Sequence, residues 1–179
     1  MIIKRGKFSL TDIFVYLMII VFAAIYAFMS VWKHNSFQTF GWDLAIFDQG
    51  IWQWSQFKIP YSSFHDLPWL ADHFNPILIT IAPLYRIWTD VRLLLIIQAI
   101  LVCLGVLPLY YLAKLVTGHK LFSLTVVLGY LLFHSLQSFI FSDFHDFAFL
   151  PVTLGGVLVF WEYKRTYLYW FFFFLALLV

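Results

Sequence analysis

The chain contains 179 residues, of which 63% are hydrophobic and 11% charged, and its mean hydropathy is +0.89. So much apolar surface excludes a water-soluble globular domain and indicates a protein embedded in a bilayer, with membrane lipids as partners. The formal net charge is only +2 and no basic patch is interleaved with aromatic residues, so no nucleic acid is predicted as a partner. The single cysteine, Cys103, excludes an intramolecular disulfide framework.

The first predicted element is a span at about 13–32, which follows Lys4, Arg5 and Lys7. About 20 apolar residues suffice to cross a bilayer. A signal peptide has a shorter apolar core and a small-residue cleavage site, so we interpret this segment as an uncleaved anchor. The positive-inside rule then puts the N-terminus of a multi-pass plasma-membrane protein in the cytoplasm.

The second predicted element is an outer loop over 33–90, which contains two further segments. Apolar side chains repeat at helical spacing over about 43–57 and predict an amphipathic helix that lies in the membrane interface. Residues 76–88 are apolar but too short to span and carry Pro83, so we expect a re-entrant or interfacial segment there.

The remaining predicted elements are four spans, at about 91–114, 121–141, 147–163 and 167–179. If 76–88 does not cross, Lys114, Lys120, Lys164 and Arg165 all face the cytoplasm and nearly all the aspartates lie outside, as the positive-inside rule requires. The last run is short and no charge follows it. We therefore interpret the chain as one membrane domain that forms the N-terminal part of a longer protein.

The acidic residues between the apolar runs are concentrated in two stretches on one predicted side of the membrane: Asp43, Asp48, Asp66, Asp72, Asp143 and Asp146. Carboxylates near hydrocarbon are costly, so they indicate a functional site. We predict that Asp43 and Asp48 are catalytic, as a general base or as a charge that orients a reacting group. Alternatively, Asp43 caps the helix and Asp48 is a solvated residue on its polar face.

Seven further residues are predicted to bind substrate in the same outer cleft: Asp72, His73, Arg86, Arg92, Asp143, His145 and Asp146. The arginines suit a lipid phosphate, although they could equally extend to the headgroups as anchors. Alternatively, Asn75 and Pro76 begin a helix, and Asp72 pairs with His73 or Arg86. Ser142 or Asp143 could equally cap the next span. Segment 143–146 contains two carboxylates and an imidazole, which could coordinate a divalent cation. The spacing of these residues matches no strong metal-binding pattern, so we assign no metal ligands.

Five segments resemble a prokaryotic family of predicted membrane proteins that has no assigned function. They are FGWDLAIFDQGIW at 40–52, DHFNPI at 72–77, APLY at 82–85, PLYYLAK at 108–114 and FHD at 144–146. The resemblance covers about Thr39 to Arg165, which is most of the chain.

The order of these features also resembles the N-terminal module of the GT-C fold of integral membrane glycosyltransferases, a group that includes protein O-mannosyltransferases and lipid A aminoarabinose transferases. Asp43 matches the catalytic aspartate of their Tyr-Asp-Glu-like motif, with Leu44 in place of the glutamate. His73 and Pro76 match a His-Lys-Pro-Pro-Leu motif, but the lysine is missing here. Without this lysine, the chain does not match the full motif by which that family binds phosphate.

Asp143 or Asp146 resembles the aspartate that follows the third span of that fold. The resemblance implies an all-α polytopic transmembrane helical bundle with a GT-C-like N-terminal module, whose outer first loop contains interfacial helices. It also implies transfer of a sugar from a polyprenyl-phosphate donor to an extracytoplasmic acceptor. The alternatives are a non-enzymatic membrane transporter, although no internal repeat is visible, and a structural membrane subunit.

Overall fold

The computed structural model describes residues 9–72 and 74–179, so the predictions made for Lys4, Arg5, Lys7 and His73 lie outside the described residues. The described part is almost entirely helical, as expected. Its α-helices are α1 (Leu10–Asn35), α2 (Gly41–Ser55), α3 (Trp69–Asp72), α4 (Ala82–Ile87), α5 (Arg92–Leu104), α6 (Val106–Thr117), α7 (Lys120–Leu131), α8 (His134–Ile140), α9 (Leu150–Glu162) and α10 (Thr166–Leu177). A short antiparallel hairpin, β1 (Tyr61–Ser62) and β2 (Leu67–Pro68), precedes α3, and 3-10 turns cover Pro76–Thr80 and Asp146–Phe149.

Two helical segments of the described chain are long and apolar enough to cross a bilayer. One is α1 and the other is the continuous run of α5 and α6, Arg92–Thr117, and each has 26 residues. Helices α7 and α8 are bent by 46° relative to each other and add a third span if the pair crosses as one. These segments coincide with the predicted spans at 13–32, 91–114 and 121–141.

The other apolar helices are shorter. Helix α9 has 13 residues and α10 has 12, and at 1.5 Å per residue neither reaches the ~30 Å of bilayer hydrocarbon. The spans predicted at 147–163 and 167–179 therefore stay predictions. Segment 76–88 folds into a 3-10 turn followed by α4, which is below spanning length as predicted, and its depth in the membrane stays a prediction.

A buried carboxylate ties the start of α1 to the end of α6. Asp12 accepts hydrogen bonds from the backbone N–H and the hydroxyl of Ser9, both at 2.7 Å. It also accepts from the Tyr110 hydroxyl at 2.7 Å and the Lys114 ammonium at 2.6 Å. Because four donors surround this carboxylate, the cost of burying its charge is offset.

The described residues contain two apolar cores. The first lies between α1, α5, α6, α7 and α8 and includes Val15, Ala99 and Cys103. The second lies among α2, α3, α4 and the start of α5, and includes Phe47, Trp69 and Tyr85. We call residues 41–88, which surround this second core, the loop lobe.

The apolar stripe of α2 faces the second core. Leu44, Phe47 and Ile51 are buried and pack with Trp69 and other residues of the loop lobe. The helix runs from Gly41 to Ser55, two residues earlier at each end than the predicted 43–57. Since this stripe contacts protein and not lipid, any contact of the loop lobe with the bilayer must use other side chains.

Candidate functional site

The first turn of α2 carries the predicted general base. The helix has Phe40 as its N-cap and begins at Gly41, so Asp43 occupies the third helical position. The alternative that Asp43 is itself the N-cap is therefore wrong. Its side chain is 50% exposed and lies in the first turn, at the positive end of the helix dipole.

A distant residue binds the N-cap residue of this helix. The backbone N–H of Phe40 donates to Oδ1 of Asp143 at 3.0 Å, which brings the segment after α8 against the start of α2. The side chain of Asp143 is buried, and its Oδ2 meets no donor among the described residues. Burial raises the pKa of Asp143, the hydrogen bond from Phe40 opposes this shift, and the charge of Asp43 adds to it.

His145 is held in place beside Asp43. Its Nδ1 lies 2.7 Å from the backbone carbonyl of Asp143, and because a carbonyl can only accept, Nδ1 carries the proton. Its backbone N–H donates to Oε1 of the buried Gln98 at 2.8 Å. These contacts direct Nε2 toward Asp43, whose Oδ2 is 3.5 Å away.

Asp146 joins this region through Asn75. The side-chain amide of Asn75 donates to Oδ2 of Asp146 at 3.3 Å, and Asn75 is itself buried. Asn75 is the N-cap residue of the 3-10 turn that starts at Pro76, as the predicted helix entry requires. The structure thus brings Asp43, Asp143, His145 and Asp146 to the contact between the loop lobe and the segment after α8.

A second His–Asp pair lies near Trp42, which is in the first turn of α2. Nδ1 of His65 lies 2.6 Å from Oδ2 of Asp72, and the role predicted for Asp72 stays a prediction. The ring of Trp42, which is largely exposed, lies 5.9 Å from the imidazole of His65 and 5.4 Å from the ring of Phe64. Sequence reasoning missed His65, since only the β1–β2 hairpin brings it to Trp42.

Asp48 lies in a different environment from Asp43. Its Oδ1 accepts a hydrogen bond from the Tyr85 hydroxyl at 2.7 Å. Burial raises the pKa of Asp48, the hydrogen bond from Tyr85 lowers it, and the charge of Asp90 raises it further. Burial and the bond to Asp48 likewise raise the pKa of Tyr85. Asp48 is therefore a partly buried carboxylate that holds α4 against α2.

The two predicted phosphate-binding arginines are engaged by the protein. Nε of Arg92 donates to Asp90 at 2.8 Å, and this hydrogen bond lowers the pKa of Asp90. Nε of Arg86 donates to the carbonyl of Ser55 at 2.6 Å, and its guanidinium lies 3.9 Å from the centre of the Phe57 ring. Each arginine therefore retains only part of its N–H donors for a phosphate.

No group of three or more His, Cys, Asp or Glu side chains within residues 9–72 and 74–179 is placed to hold a metal ion. The Asp143–Asp146 segment shows why. The Nδ1 of His145 is used by the carbonyl of Asp143, and the buried carboxylate of Asp143 bonds to the backbone of Phe40. Within the described residues, these contacts leave segment 143–146 without a set of metal ligands.

The helices and their composition define an integral membrane protein with two to three candidate spans. A family model described as a predicted membrane protein, DUF2079, matches residues 33–179, and the chain belongs to this family. This confirms the predicted membership of a family of predicted membrane proteins. No curated protein and no solved structure matches the chain. The relation to the GT-C fold and the orientation in the membrane stay predictions.

Proposed function

We propose that this protein is a membrane glycosyltransferase that moves a sugar from a polyprenyl-phosphate donor to an extracytoplasmic acceptor. The observation that carries the proposal is the half-exposed carboxylate of Asp43, 3.5 Å from Nε2 of an imidazole whose other nitrogen is fixed. Transfer to a hydroxyl requires a group that takes the hydroxyl proton. Both facing atoms, Oδ2 of Asp43 and Nε2 of neutral His145, can accept one.

In the proposed reaction, the acceptor hydroxyl approaches the gap between Asp43 and His145. Asp43 removes its proton as the oxygen bonds to the anomeric carbon of the sugar and the bond to the phosphate breaks. His145, whose ring is fixed through Nδ1, lies beside the carboxylate and offers Nε2 as a second acceptor for the proton. Asp143 positions both residues of this pair. Its carboxylate accepts from the N-cap residue of the helix that carries Asp43, and its backbone carbonyl accepts from Nδ1 of His145.

The exposed ring of Trp42 and the neighbouring His65–Asp72 pair offer a surface suited to a sugar. An indole supplies an apolar face for the C–H groups of a sugar ring, and the imidazole and carboxylate can bond its hydroxyls. The leaving phosphate needs cationic or polar partners. The predicted ones are His73, Arg86 and Arg92, with the unshared guanidinium N–H groups as donors.

Consumption of a polyprenyl-phosphate sugar by the full-length protein in proteoliposomes, with and without a chelator, tests the proposal. Asp43→Asn should lower turnover on the order of 10² to 10⁴-fold while the melting temperature stays unchanged, because an amide keeps the shape of the side chain but takes no proton. Asp48→Asn should be milder, since Asp48 bonds to Tyr85 and lies further along the helix.

The matched control is Asp66→Asn, which changes an exposed carboxylate of the same loop lobe that bonds to Tyr61 and not to Asp43 or His145, and it should keep wild-type turnover. If Asp43→Asn kept full activity in an assay in which the wild-type protein turns over, the glycosyltransferase proposal would lose its main support. If Asp48→Asn were inactive and Asp43→Asn active, the base would be Asp48.

A further inference from the structure

The loop lobe carries an exposed edge that is apolar and basic. We call residues 56–59 and 84–88 the insertion edge. Phe57 is 83% exposed, Ile59 89% and Ile87 84%, values that are unusual for large apolar side chains in water. None of these side chains is needed by the site around Asp43.

The two segments of the insertion edge form one continuous surface. The Arg86 guanidinium lies 3.9 Å from the centre of the Phe57 ring, and its Nε bonds to the carbonyl of Ser55. Nζ of Lys58 lies 5.3 Å from the centre of the partly exposed Trp52 ring. Residues 56–59 and 84–88 contain no Asp or Glu, so the edge presents two cations among apolar side chains.

The backbone holds Phe57 outward at an energetic cost. Helix α2 ends in a Schellman motif, in which the N–H of Phe57 bonds to the carbonyl of Trp54 at 2.9 Å and the N–H of Lys58 to that of Gln53 at 3.0 Å. Phe57 has φ 57°, a left-handed conformation for which glycine is the usual residue. A phenylalanine at this position costs about 1 kcal/mol or more of strain, which indicates a use for its ring.

The insertion edge also lies close to the membrane. Helix α4 ends at Ile87 and the candidate span Arg92–Thr117 begins five residues later. Five residues reach at most about 18 Å, so the edge lies near the level at which this span leaves the bilayer. Trp88 in the intervening segment is of the type that concentrates at membrane interfaces.

We propose that the insertion edge inserts into the headgroup layer of an anionic phospholipid leaflet. Phe57, Ile59 and Ile87 reach the boundary of the acyl chains, while Lys58 and Arg86 bind lipid phosphates. Apolar and aromatic side chains flanked by cations are suited to this layer, and each cation near an anionic surface adds to binding. The inference does not depend on the proposed enzymatic activity. Arg86 is the one residue of the insertion edge that is also assigned a part in the proposed reaction, as a donor to the leaving phosphate.

The test uses the full-length protein with Cys103→Ala as background, reconstituted in nanodiscs of phosphatidylcholine with or without phosphatidylglycerol. An environment-sensitive NBD probe is attached at Ile59→Cys and, as a control on the same lobe but outside the edge, at Ser63→Cys. We expect emission at position 59 to shift to shorter wavelength and to be quenched by lipids spin-labelled near the headgroup, more strongly with phosphatidylglycerol present. Lys58→Gln with Arg86→Gln should abolish the difference between the two lipid compositions.

Equal quenching at positions 59 and 63, or none at 59, would overturn the proposal. Quenching at 59 that is the same in both lipid compositions would overturn its anionic part. Phe57→Gly separates folding from lipid contact, because glycine relieves the left-handed strain. This variant should have an equal or higher melting temperature in detergent, and quenching of the probe at position 59 should be weaker. Unchanged quenching would count against insertion of Phe57.

Discussion

Asp143 has two structural tasks at once. Its carboxylate accepts from Phe40, the N-cap residue of α2, and its backbone carbonyl fixes the ring of His145. The carboxylate is only 5% exposed, and its second oxygen meets no donor within the described residues. A buried carboxylate with one hydrogen bond favours the protonated form, so this position should make stability depend on pH.

We expect the free energy of unfolding to fall as pH rises from about 4. The unfolded chain releases this proton at the ordinary pKa of 3.8, whereas burial raises the pKa of Asp143 in the folded protein. The folded state therefore binds more protons in this window, and its advantage is lost as pH rises to the folded-state pKa.

Asp143→Asn should make this slope shallower, with the share due to Asp48 remaining, since the pKa of Asp48 is raised as well. Melting temperatures in detergent between pH 4 and pH 7 measure the effect. An unchanged slope in Asp143→Asn would show that Asp143 is ionised in the folded protein throughout the range.

At the scale of elements, α9 packs closely against its neighbours because of two glycines. A Cβ added at Gly155 would lie 2.5 Å from Cβ of Pro108 in α6. One added at Gly156 would overlap the ring of Phe172 in α10. Small residues allow such close approach of helices in a membrane, where packing replaces the hydrophobic effect as the driving force.

Gly155→Ala should destabilise the protein by about 1–3 kcal/mol, since the proline ring cannot rotate away from the added methyl group. Gly129→Ala in α7 is the matched control. A Cβ there meets nothing within 4 Å, and alanine is the better helix former, so the control should be neutral or stabilising by up to about 1 kcal/mol. Unfolding in mixed micelles measures both, and equal stabilities would contradict the close packing of α9 on α6.

At the scale of the whole molecule, the cations of the chain predict its orientation. Lys114 and Lys120 flank the turn between α6 and α7, and Lys164 and Arg165 lie between α9 and α10. The positive-inside rule places both turns in the cytoplasm, with the loop lobe and the candidate site outside.

Labelling of single cysteines in intact cells tests this orientation. On the Cys103→Ala background, Ser63→Cys in the loop lobe should react with a membrane-impermeant maleimide. His119→Cys, in the exposed turn before α7, should react only after the membrane is permeabilised. Reaction of position 119 in intact cells would reverse the topology and place the site in the cytoplasm.

The sequence by itself determined the membrane class, the positions of the apolar helices and the two acidic stretches. Each of these depends on composition or periodicity within a window of about 20 residues, so no information about distant contacts is needed. The same is true of the helix entry at Asn75 and Pro76. The bend between α7 and α8 was not predicted, because both halves are apolar.

Only the tertiary structure decided which polar groups meet. Phe40 and Asp143 are 103 positions apart, and nothing near either residue in the sequence indicates that one binds the other. The same packing separates Asp43, half-exposed beside His145, from Asp48, which is partly buried against Tyr85. The two aspartates are five residues apart in α2, so their side chains point to different sides of the helix. Their exposure and their partners differ because the fold places different residues on those two sides.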